Sequence, residues 1–287
     1  MRPDTLRSRI FLDGGDPHEA QQALAMLGFL DGQTTNPTLI AKNPQAKKLL
    51  EKGQKFTREE ILNFYHFVVR ELSALMPQGS ISIEVYADLA TTAKDMLLQA
   101  EKMNGWIHNA HIKFPTSAEG LKAAEQAAAG GMRINMTLCF TQEQAAAVYA
   151  ASRGAKRGNV FVSPFVGRLD DRGEDGMQLI ANIMKMYAQG DSHVEVLTAS
   201  VRNLGHLLRG LQLGSDILTV PFTVLKEWAD QGLPVPGRGY TYDAKGLAPI
   251  PYRDIPLTLN WDQYHLDHDL TVKGTERFSQ DWNALIT

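Results

Sequence analysis

The stretch NAHIKFPTSAEGLKAAEQAAA, residues 109 to 129, contains one complete strand-and-helix unit. The apolar run Ala110–Pro115 predicts a buried strand, and Ala118–Ala129, opened by Ser117, predicts a helix with a capped N-terminus. Lys113 interrupts the apolar pattern. An ammonium ion buried without a partner is costly, so such a group pairs, reaches water or loses its proton. Each outcome implies a different role for this strand.

The same unit recurs along the chain. Short runs rich in Ile, Val and Phe alternate with longer Ala, Leu, Lys and Glu stretches at helical spacing, the pattern of βα units around parallel strands. The predicted strands are 10–14, 29–36, 80–86, 110–115, 133–140, 160–165, 194–200 and 217–221. The helices that follow them are predicted at 17–27, 58–75, 90–103, 118–129, 142–151, 175–188, 203–213 and 223–228. Eight such units favour an α/β fold of the closed (β/α)8 TIM-barrel type, although periodicity alone leaves an open doubly wound sheet possible.

The domain organisation follows from length and from where the pattern stops. A chain of 287 residues is close to the usual size of one such barrel, so we expect a single domain over 1–287. Beyond residue 228 the alternation ends. Residues 231–270 are rich in Pro, Gly and Tyr and predict an irregular extension, and 271–285 predicts a final helix.

Composition and charge exclude several classes of partner. With 29 Lys and Arg against 32 Asp and Glu, the formal net charge is -3, and no long basic run is present, so nucleic acid is not expected. No apolar stretch of roughly 18 residues predicts a membrane span. The polar start of the chain does not resemble a signal peptide, and the single cysteine gives no sign of an oxidising compartment. We therefore expect a cytoplasmic protein that acts on a small molecule.

Polar side chains stand at or just beyond the carboxyl ends of nearly all the predicted strands. In a barrel these ends meet on one face, where chemistry collects. The residues are Asp13, Asn36, Glu84, Lys113, Asn135, Thr137, Ser163 and Ser200, with Arg168 and Arg202 in the loops that follow the sixth and seventh strands.

Each of these residues also has a purely structural interpretation. Asp13 and Asn36, beside glycine and proline, fit turns or helix caps, and strand-end hydroxyls often bond to backbone. Arginines in loops usually lie at the surface. Lys113 and Glu84 could form a structural ion pair inside the barrel. Spacing alone does not favour a reactive Lys113 amine over this ion pair. Their joint position at one end of the barrel favours function.

The functional interpretation centres on Lys113. A desolvated lysine can present a neutral amine, which attacks a ketone and forms a Schiff base. The protonated imine is an electron sink for cleavage of the neighbouring carbon-carbon bond, provided a carboxylate takes and returns a hydroxyl proton. Asp13 is the candidate for that proton transfer, and Glu84 with Thr137 could hold the water that carries protons during imine formation.

The remaining polar residues suit a phosphorylated polyhydroxy substrate. Arg168, Ser200 and Arg202 fall where late loops of a barrel commonly bind phosphate, and two guanidinium groups with a hydroxyl form a fixed anion site. Asn36 and Asn135 could bind hydroxyl groups of the carbon skeleton.

Six sequence blocks resemble those of a known family, the transaldolases. They are TTNPTLI (34–40), IKFPTSAEGLKA (112–123), INMTLCF (134–140), VSPFVGRLDD (162–171), LTASVRN (197–203) and HDLTVKG (268–274). The resemblance implies transfer of a dihydroxyacetone unit from fructose 6-phosphate or sedoheptulose 7-phosphate to an aldose phosphate, within the pentose phosphate pathway. It implies no metal and no organic cofactor, and we expect a homo-oligomer.

The resemblance also assigns roles to matching positions. It implies that the catalytic residues are Lys113, Asp13, Glu84 and Thr137, and that the substrate-binding residues are Asn36, Asn135, Ser163, Phe165, Arg168, Ser200 and Arg202.

Three alternatives to a transferase stay open at this level. The related fructose-6-phosphate aldolases are similar in fold but carry Gln at the position of Glu84 and Tyr at that of Phe165, so both residues favour the transferase. A sulfofructose substrate is possible, because arginine and serine need not distinguish a sulfonate from a phosphate. A non-catalytic sugar-phosphate-binding barrel is the third. The extension does not align with the family, and it could cover the mouth, mediate oligomer contacts or narrow the acceptor range.

Overall fold

The barrel is closed. The computed structural model describes residues 1–244 and 246–287. Its eight parallel strands pair in chain order, and the last strand pairs back onto the first. The (β/α)8 TIM barrel predicted from the sequence is therefore confirmed, and the open sheet is excluded.

The strands are short and the helices surround them. The strands are β1 Arg9–Asp13, β2 Gly32–Thr34, β3 Ser80–Glu84, β4 Ala110–Pro115, β5 Ile134–Cys139, β6 Val160–Pro164, β7 Val194–Thr198 and β8 Ile217–Val220. The helices are α1 Pro17–Leu27, α2 Pro37–Ala41, α3 Pro44–Glu51, α4 Arg58–Leu75, α5 Ala93–Asn104, α6 Ala118–Ala129, α7 Gln142–Ala151, α8 Val166–Asp170, α9 Gly176–Tyr187, α10 Leu204–Leu213, α11 Phe222–Asp230 and α12 Asp269–Asn283, with a 3-10 turn at Trp261–Gln263.

All the predicted strands and helices are present, and the differences lie in some of their bounds and in short helices that were not predicted. Strand β4 and helices α1, α4, α6 and α7 have the predicted bounds. Strand β2 is much shorter than 29–36, because Asn36 is the N-cap of α2 and Pro37 starts that helix. Helices α2, α3 and α8 were not predicted. Five or eight residues give too few turns for a helical period to show.

The strand register brings the polar residues of neighbouring strands side by side. Glu84 of β3 pairs with Lys113 of β4, and Lys113 pairs with Asn135 of β5. Pro115 pairs with Thr137 one step further along the same two strands. Because side chains alternate along a strand, residues of one parity share the barrel interior. These contacts therefore follow from closure of the sheet.

The C-terminal extension, residues 231–244 and 246–268 in the structure, crosses the outside of the barrel. Gln212 of α10 donates a hydrogen bond to the Tyr240 carbonyl at 2.6 Å. Gln142 of α7 exchanges two hydrogen bonds with the Arg253 backbone, at 3.0 and 2.9 Å. The extension is thus fastened to outer helices on both sides of α9.

Helix α12 follows the extension and returns the chain to the mouth of the barrel. It begins at Asp269, two residues before the predicted start, because the His268 side chain accepts the Leu270 N–H and caps it. The Thr271 hydroxyl donates to the Leu138 carbonyl at 3.0 Å, which docks the helix on the end of β5.

Tyr65 of α4 connects the outer layer to the strand that carries Glu84. Its hydroxyl oxygen accepts the Glu84 N–H at 2.9 Å and lies 2.5 Å from the Thr35 hydroxyl oxygen. The Thr35 hydroxyl donates to the Ser82 carbonyl at 2.7 Å, so the Tyr65 hydroxyl is the donor to Thr35. Tyr65 is fully buried, and water cannot replace these bonds.

We expect Tyr65→Phe to lower the free energy of unfolding by about 1–3 kcal/mol, because the buried Glu84 N–H loses its acceptor. Urea denaturation followed by circular dichroism measures this. The matched control is Tyr252→Phe, whose hydroxyl meets Gln189 near the surface and should change stability by less than about 0.5 kcal/mol. Equal losses in the two variants would contradict the role given to Tyr65.

Candidate active site

A cavity of about 440 Å³ opens at the carboxyl ends of the strands. Of the residues predicted for the site, those that line it are Asp13, Asn36, Lys113, Thr137, Ser163, Phe165, Arg168, Ser200 and Arg202. The other two, Glu84 and Asn135, lie next to Lys113 on the adjoining strands. The structure therefore brings all the predicted residues together, and no described residue of the extension lines this cavity.

Lys113 and Glu84 form a buried ion pair at the base of the cavity. The Lys113 Nζ lies 2.7 Å from the Glu84 Oε2, and it donates a hydrogen bond to the Thr35 carbonyl at 3.0 Å. The exposed fractions of the two side chains are only 4% and 5%. Burial raises the pKa of Glu84, and the charge of Lys113 partly opposes that rise. A carboxyl with a raised pKa can exchange a proton with the neighbouring amine.

Asp13 lies at the end of β1 and accepts a hydrogen bond from the Thr34 hydroxyl at 2.8 Å. Desolvation raises the pKa of Asp13, while the Thr34 hydrogen bond and the charges of Lys113 and Lys42 lower it. The Thr34 hydroxyl oxygen in turn lies 2.6 Å from that of Thr219. The Thr34 hydrogen bond holds the carboxyl group in place, and the opposing influences on its pKa suit it to proton transfer.

The Thr137 hydroxyl is fully buried and has no hydrogen-bond partner among the described residues. A buried polar group without a partner costs free energy, so such a hydroxyl is suited to a substrate group or a water in the cavity. The hydroxyl is placed near Lys113 by the register of β4 and β5, which pairs Thr137 with Pro115.

Asn36 and Asn135, which were predicted to bind substrate hydroxyl groups, also form hydrogen bonds within the protein. Asn135 donates to the Ser82 hydroxyl at 3.1 Å and accepts from the Ser163 hydroxyl at 2.6 Å, so it holds Ser163 in place. The Asn36 Oδ1 accepts the Leu39 N–H and caps α2, as the structural interpretation expected. The amide of Asn36 still borders the cavity.

One side of the cavity is cationic. The Arg168 guanidinium lies 5.4 Å from the ring centroids of both Phe165 and Phe278, which hold it between two aromatic faces. Arg202 approaches the same region and pairs with Asp171 at 3.0 Å. The phenylalanine rings leave the edge of the Arg168 guanidinium free to donate to an anion.

Several lining residues were missed by sequence reasoning. They are Thr34, Thr38, Leu39, Lys42, Ala199, Val201, Thr219, Pro221, Arg277 and Phe278. Thr34 could have been found, because it precedes Asn36 by two residues and shares its face. Arg277 and Phe278 could not, since only the path of α12 across the mouth brings them to the cavity.

A second cluster of polar residues, at the opposite end of the barrel, has the composition of a catalytic triad, but its serine and histidine are buried. The Ser152 hydroxyl is 3.2 Å from the His193 Nε2, and the His193 Nδ1 contacts Asp191. Ser152 is only 1% exposed and donates to the Val148 carbonyl at 2.8 Å. We assign this cluster to packing, because a substrate could not reach the hydroxyl.

Comparison with known proteins agrees with this geometry. The family model described as Transaldolase/Fructose-6-phosphate aldolase matches residues 10–287. The chain belongs to this family. A probable transaldolase of Dehalococcoides mccartyi is 38% identical over 277 residues, which cover 96% of this chain and 99% of that protein. A probable transaldolase of an Anaeromyxobacter species is 40% identical over 225 residues, covering 78% of this chain and 91% of that protein.

Two further observations bear on partners of this family member. Within residues 1–244 and 246–287, no group of three or more His, Cys, Asp or Glu side chains is arranged to hold a metal ion. Over the same part of the chain, none of the helices has the length and apolar character that crossing a membrane demands.

We expect Thr34→Val to raise the pKa of Asp13 further, because a hydrogen bond that favours the charged carboxylate is lost. Titration of the aspartate side-chain carbons by NMR measures the shift directly. Thr219→Val is the control, since it contacts Thr34 and leaves the bond to Asp13 in place. An unchanged Asp13 titration in Thr34→Val would refute this account.

Proposed function

We propose that this protein is a transaldolase that transfers a dihydroxyacetone unit from a ketose phosphate to an aldose phosphate through a Schiff base on Lys113. The observation that carries the proposal is the buried Lys113 amine, 2.7 Å from Glu84, at the base of a cavity with a cationic side. The family membership of the chain supports the same chemistry.

The first half of the reaction uses Lys113 and Glu84. The Lys113 amine, after passing its proton to Glu84, attacks the C2 carbonyl of the ketose and forms a carbinolamine. Glu84 then returns a proton to the hydroxyl, and water leaves as the protonated imine forms. The Thr137 hydroxyl is placed to bind that water. The raised pKa of Glu84 suits a carboxyl that must both accept and donate a proton.

The second half uses Asp13. Its carboxylate takes the proton from the C4 hydroxyl, and the C3–C4 bond breaks, with its electron pair moving into the imine to give an enamine. The aldose phosphate leaves, and an acceptor aldehyde phosphate enters. The enamine carbon attacks the acceptor carbonyl, Asp13 returns the proton to the new hydroxyl, and the imine forms again on Lys113. Water then hydrolyses this imine, which releases the new ketose phosphate and the free amine. This scheme requires no metal or organic cofactor.

The cationic side of the cavity supports a phosphorylated substrate. Arg168, Ser200 and Arg202 can donate hydrogen bonds to a phosphate whose carbon chain reaches Lys113. Fructose 6-phosphate or sedoheptulose 7-phosphate as donor, and the pentose phosphate pathway, are the corresponding proposals. A sulfonate could occupy the same anion site. A homo-oligomeric state and a cytoplasmic location stay predictions.

Glu84 and Phe165 favour the transferase over an aldolase that releases free dihydroxyacetone. Glu84 is a carboxylate paired with the amine, whereas the related aldolases carry a neutral glutamine at this position. Phe165 offers only a ring face to the cavity, where a tyrosine would add a hydroxyl. A non-catalytic barrel would not need to bury an amine and a carboxylate together, because that burial is costly.

We expect borohydride with fructose 6-phosphate to trap a covalent adduct on Lys113 and to inactivate the enzyme, because hydride reduces the imine to a stable amine. Peptide mass mapping locates the adduct. Lys113→Ala should show neither adduct nor turnover, whereas Lys42→Ala, which removes another lysine lining the cavity, should still be labelled on Lys113. Labelling that survives in Lys113→Ala would disprove the assignment.

We expect sustained cleavage of fructose 6-phosphate to depend on an acceptor aldose phosphate. Without an acceptor, the enamine stays on Lys113 and the lysine is not free for another cycle. Coupled assays that detect glyceraldehyde 3-phosphate, with and without erythrose 4-phosphate, measure this dependence. A sustained rate without acceptor, at a level equal to that with it, would identify an aldolase instead.

A further inference from the structure

The segment that carries Ser200 and Arg202 is strained and is held by a buried histidine. Ser200 has a φ of 59°, in the left-handed region that a serine rarely occupies. Two residues later, the Arg202 N–H points toward the His206 Nδ1, 3.3 Å away. The Asn203 side chain accepts the His206 N–H at 2.9 Å and starts helix α10. The backbone that presents these side chains therefore depends on His206.

His206 is connected in turn to the segment that carries Arg168. Its Nε2 lies 2.7 Å from the Asp170 Oδ2, and the Asp170 Oδ1 accepts the Gly176 N–H at 3.1 Å. Because the Nδ1 accepts from Arg202, the proton of a neutral His206 is on Nε2 and is donated to Asp170. The His206 side chain is 2% exposed and the Asp170 side chain 19%, so their hydrogen bond is largely shielded from water.

A direct backbone contact also joins the two segments. The Gly167 N–H donates to the Ser200 carbonyl at 3.1 Å. A side-chain carbon on Gly167 would lie 2.4 Å from that carbonyl oxygen, so only glycine permits the approach. Helix α8 and the segment after β7 are therefore held together at two points, Gly167 with Ser200 and Asp170 with His206.

The C-terminal extension contacts both segments from outside. The Tyr242 ring lies 6.4 Å from the His206 ring, centroid to centroid. Further along, the Ala248 N–H donates to the Gly173 carbonyl and the Ala248 carbonyl accepts the Asp175 N–H, both at 2.8 Å. Gly173 and Asp175 follow α8. The extension thus packs against the outer side of the same two segments whose inner side faces the cavity.

We propose that Asp170 and His206 are positioning residues of the anion site, and that Tyr242 of the extension holds His206 in place. The proposal rests on the proposed function, because it takes the anion to be the substrate phosphate. The visible ion pair of Arg202 with Asp171 cannot do this positioning, since both side chains are more than half exposed and such pairs contribute little. The buried pair, by contrast, acts on the backbone of both arginine segments.

The two hydrogen bonds of His206 can be separated by substitution. His206→Asn keeps an acceptor near the Nδ1 position for the Arg202 N–H but cannot reach Asp170. His206→Gln can reach Asp170 but leaves the Arg202 N–H without its acceptor. We expect both variants to weaken phosphate binding, and His206→Gln to do so more.

The experiment measures the Kd of inorganic phosphate by calorimetry, together with KM and kcat for fructose 6-phosphate. We expect His206→Gln and Tyr242→Ala to raise Kd and KM roughly three- to tenfold, as for the loss of one hydrogen bond or packing contact, with kcat changed less than about twofold. The matched controls are Tyr242→Phe, which keeps the ring, and Tyr252→Ala, which removes a tyrosine of the extension that packs on Lys185 instead. Both should resemble the wild type.

The outcomes separate this inference from the proposed function. If Arg168→Ala binds phosphate as tightly as the wild type, the anion site itself is wrong. If Arg168→Ala weakens binding but folded His206→Gln and Tyr242→Ala do not, the positioning role is overturned. Should the His206 variants fail to fold, Tyr242→Ala decides alone, and an unchanged Kd there overturns the proposal. Equal losses in Tyr242→Ala and Tyr252→Ala would also overturn it.

Discussion

The buried ion pair between Lys113 and Glu84 is the constraint on which the rest of the structure depends. Two opposite charges removed from water are tolerated only when their geometry is good and their other polar atoms are satisfied. The register of β3 and β4 sets the pair side by side, and the Thr35 carbonyl accepts from the amine. Tyr65 holds the Glu84 backbone from the outer layer. Barrel closure is what allows one site to draw on all of these elements.

The site has two ends. The buried end with Lys113, Glu84 and Asp13 is called the dry end, and the cationic end with Arg168 and Arg202 is called the charged end. At the dry end, burial raises the pKa values of Glu84 and Asp13, which suits groups that exchange protons. At the charged end, Arg168 lies between the rings of Phe165 and Phe278, where it stays available to an anion. In the proposed reaction, this separation would let one substrate be anchored by its phosphate and activated at its carbonyl. The extension is fixed to the outer helices. It packs against the outer side of the segments that form the charged end, and its described residues do not cover the mouth of the barrel.

The sequence alone was enough to place residues together when their contacts follow from the alternation of side chains along the strands. Lys113, Glu84 and Thr137 could be placed together, because parity and the alignment of parallel strand ends are local properties repeated around a barrel. It failed for short helices such as α2 and α8, which make fewer than two turns and show no period. Asn36 shows the ambiguity directly, since it caps α2 and also borders the cavity.

By itself, the sequence determined the eightfold alternation, the long helices and the set of polar strand ends, because hydrophobic periodicity and capping are encoded within a few residues. Only the tertiary structure decided that the extension braces the barrel from outside, that Phe278 enters the cavity from α12, and that His206 joins Arg202 to Asp170. Those contacts connect residues far apart in the chain. They are set by how the closed barrel packs, and no local pattern carries that information.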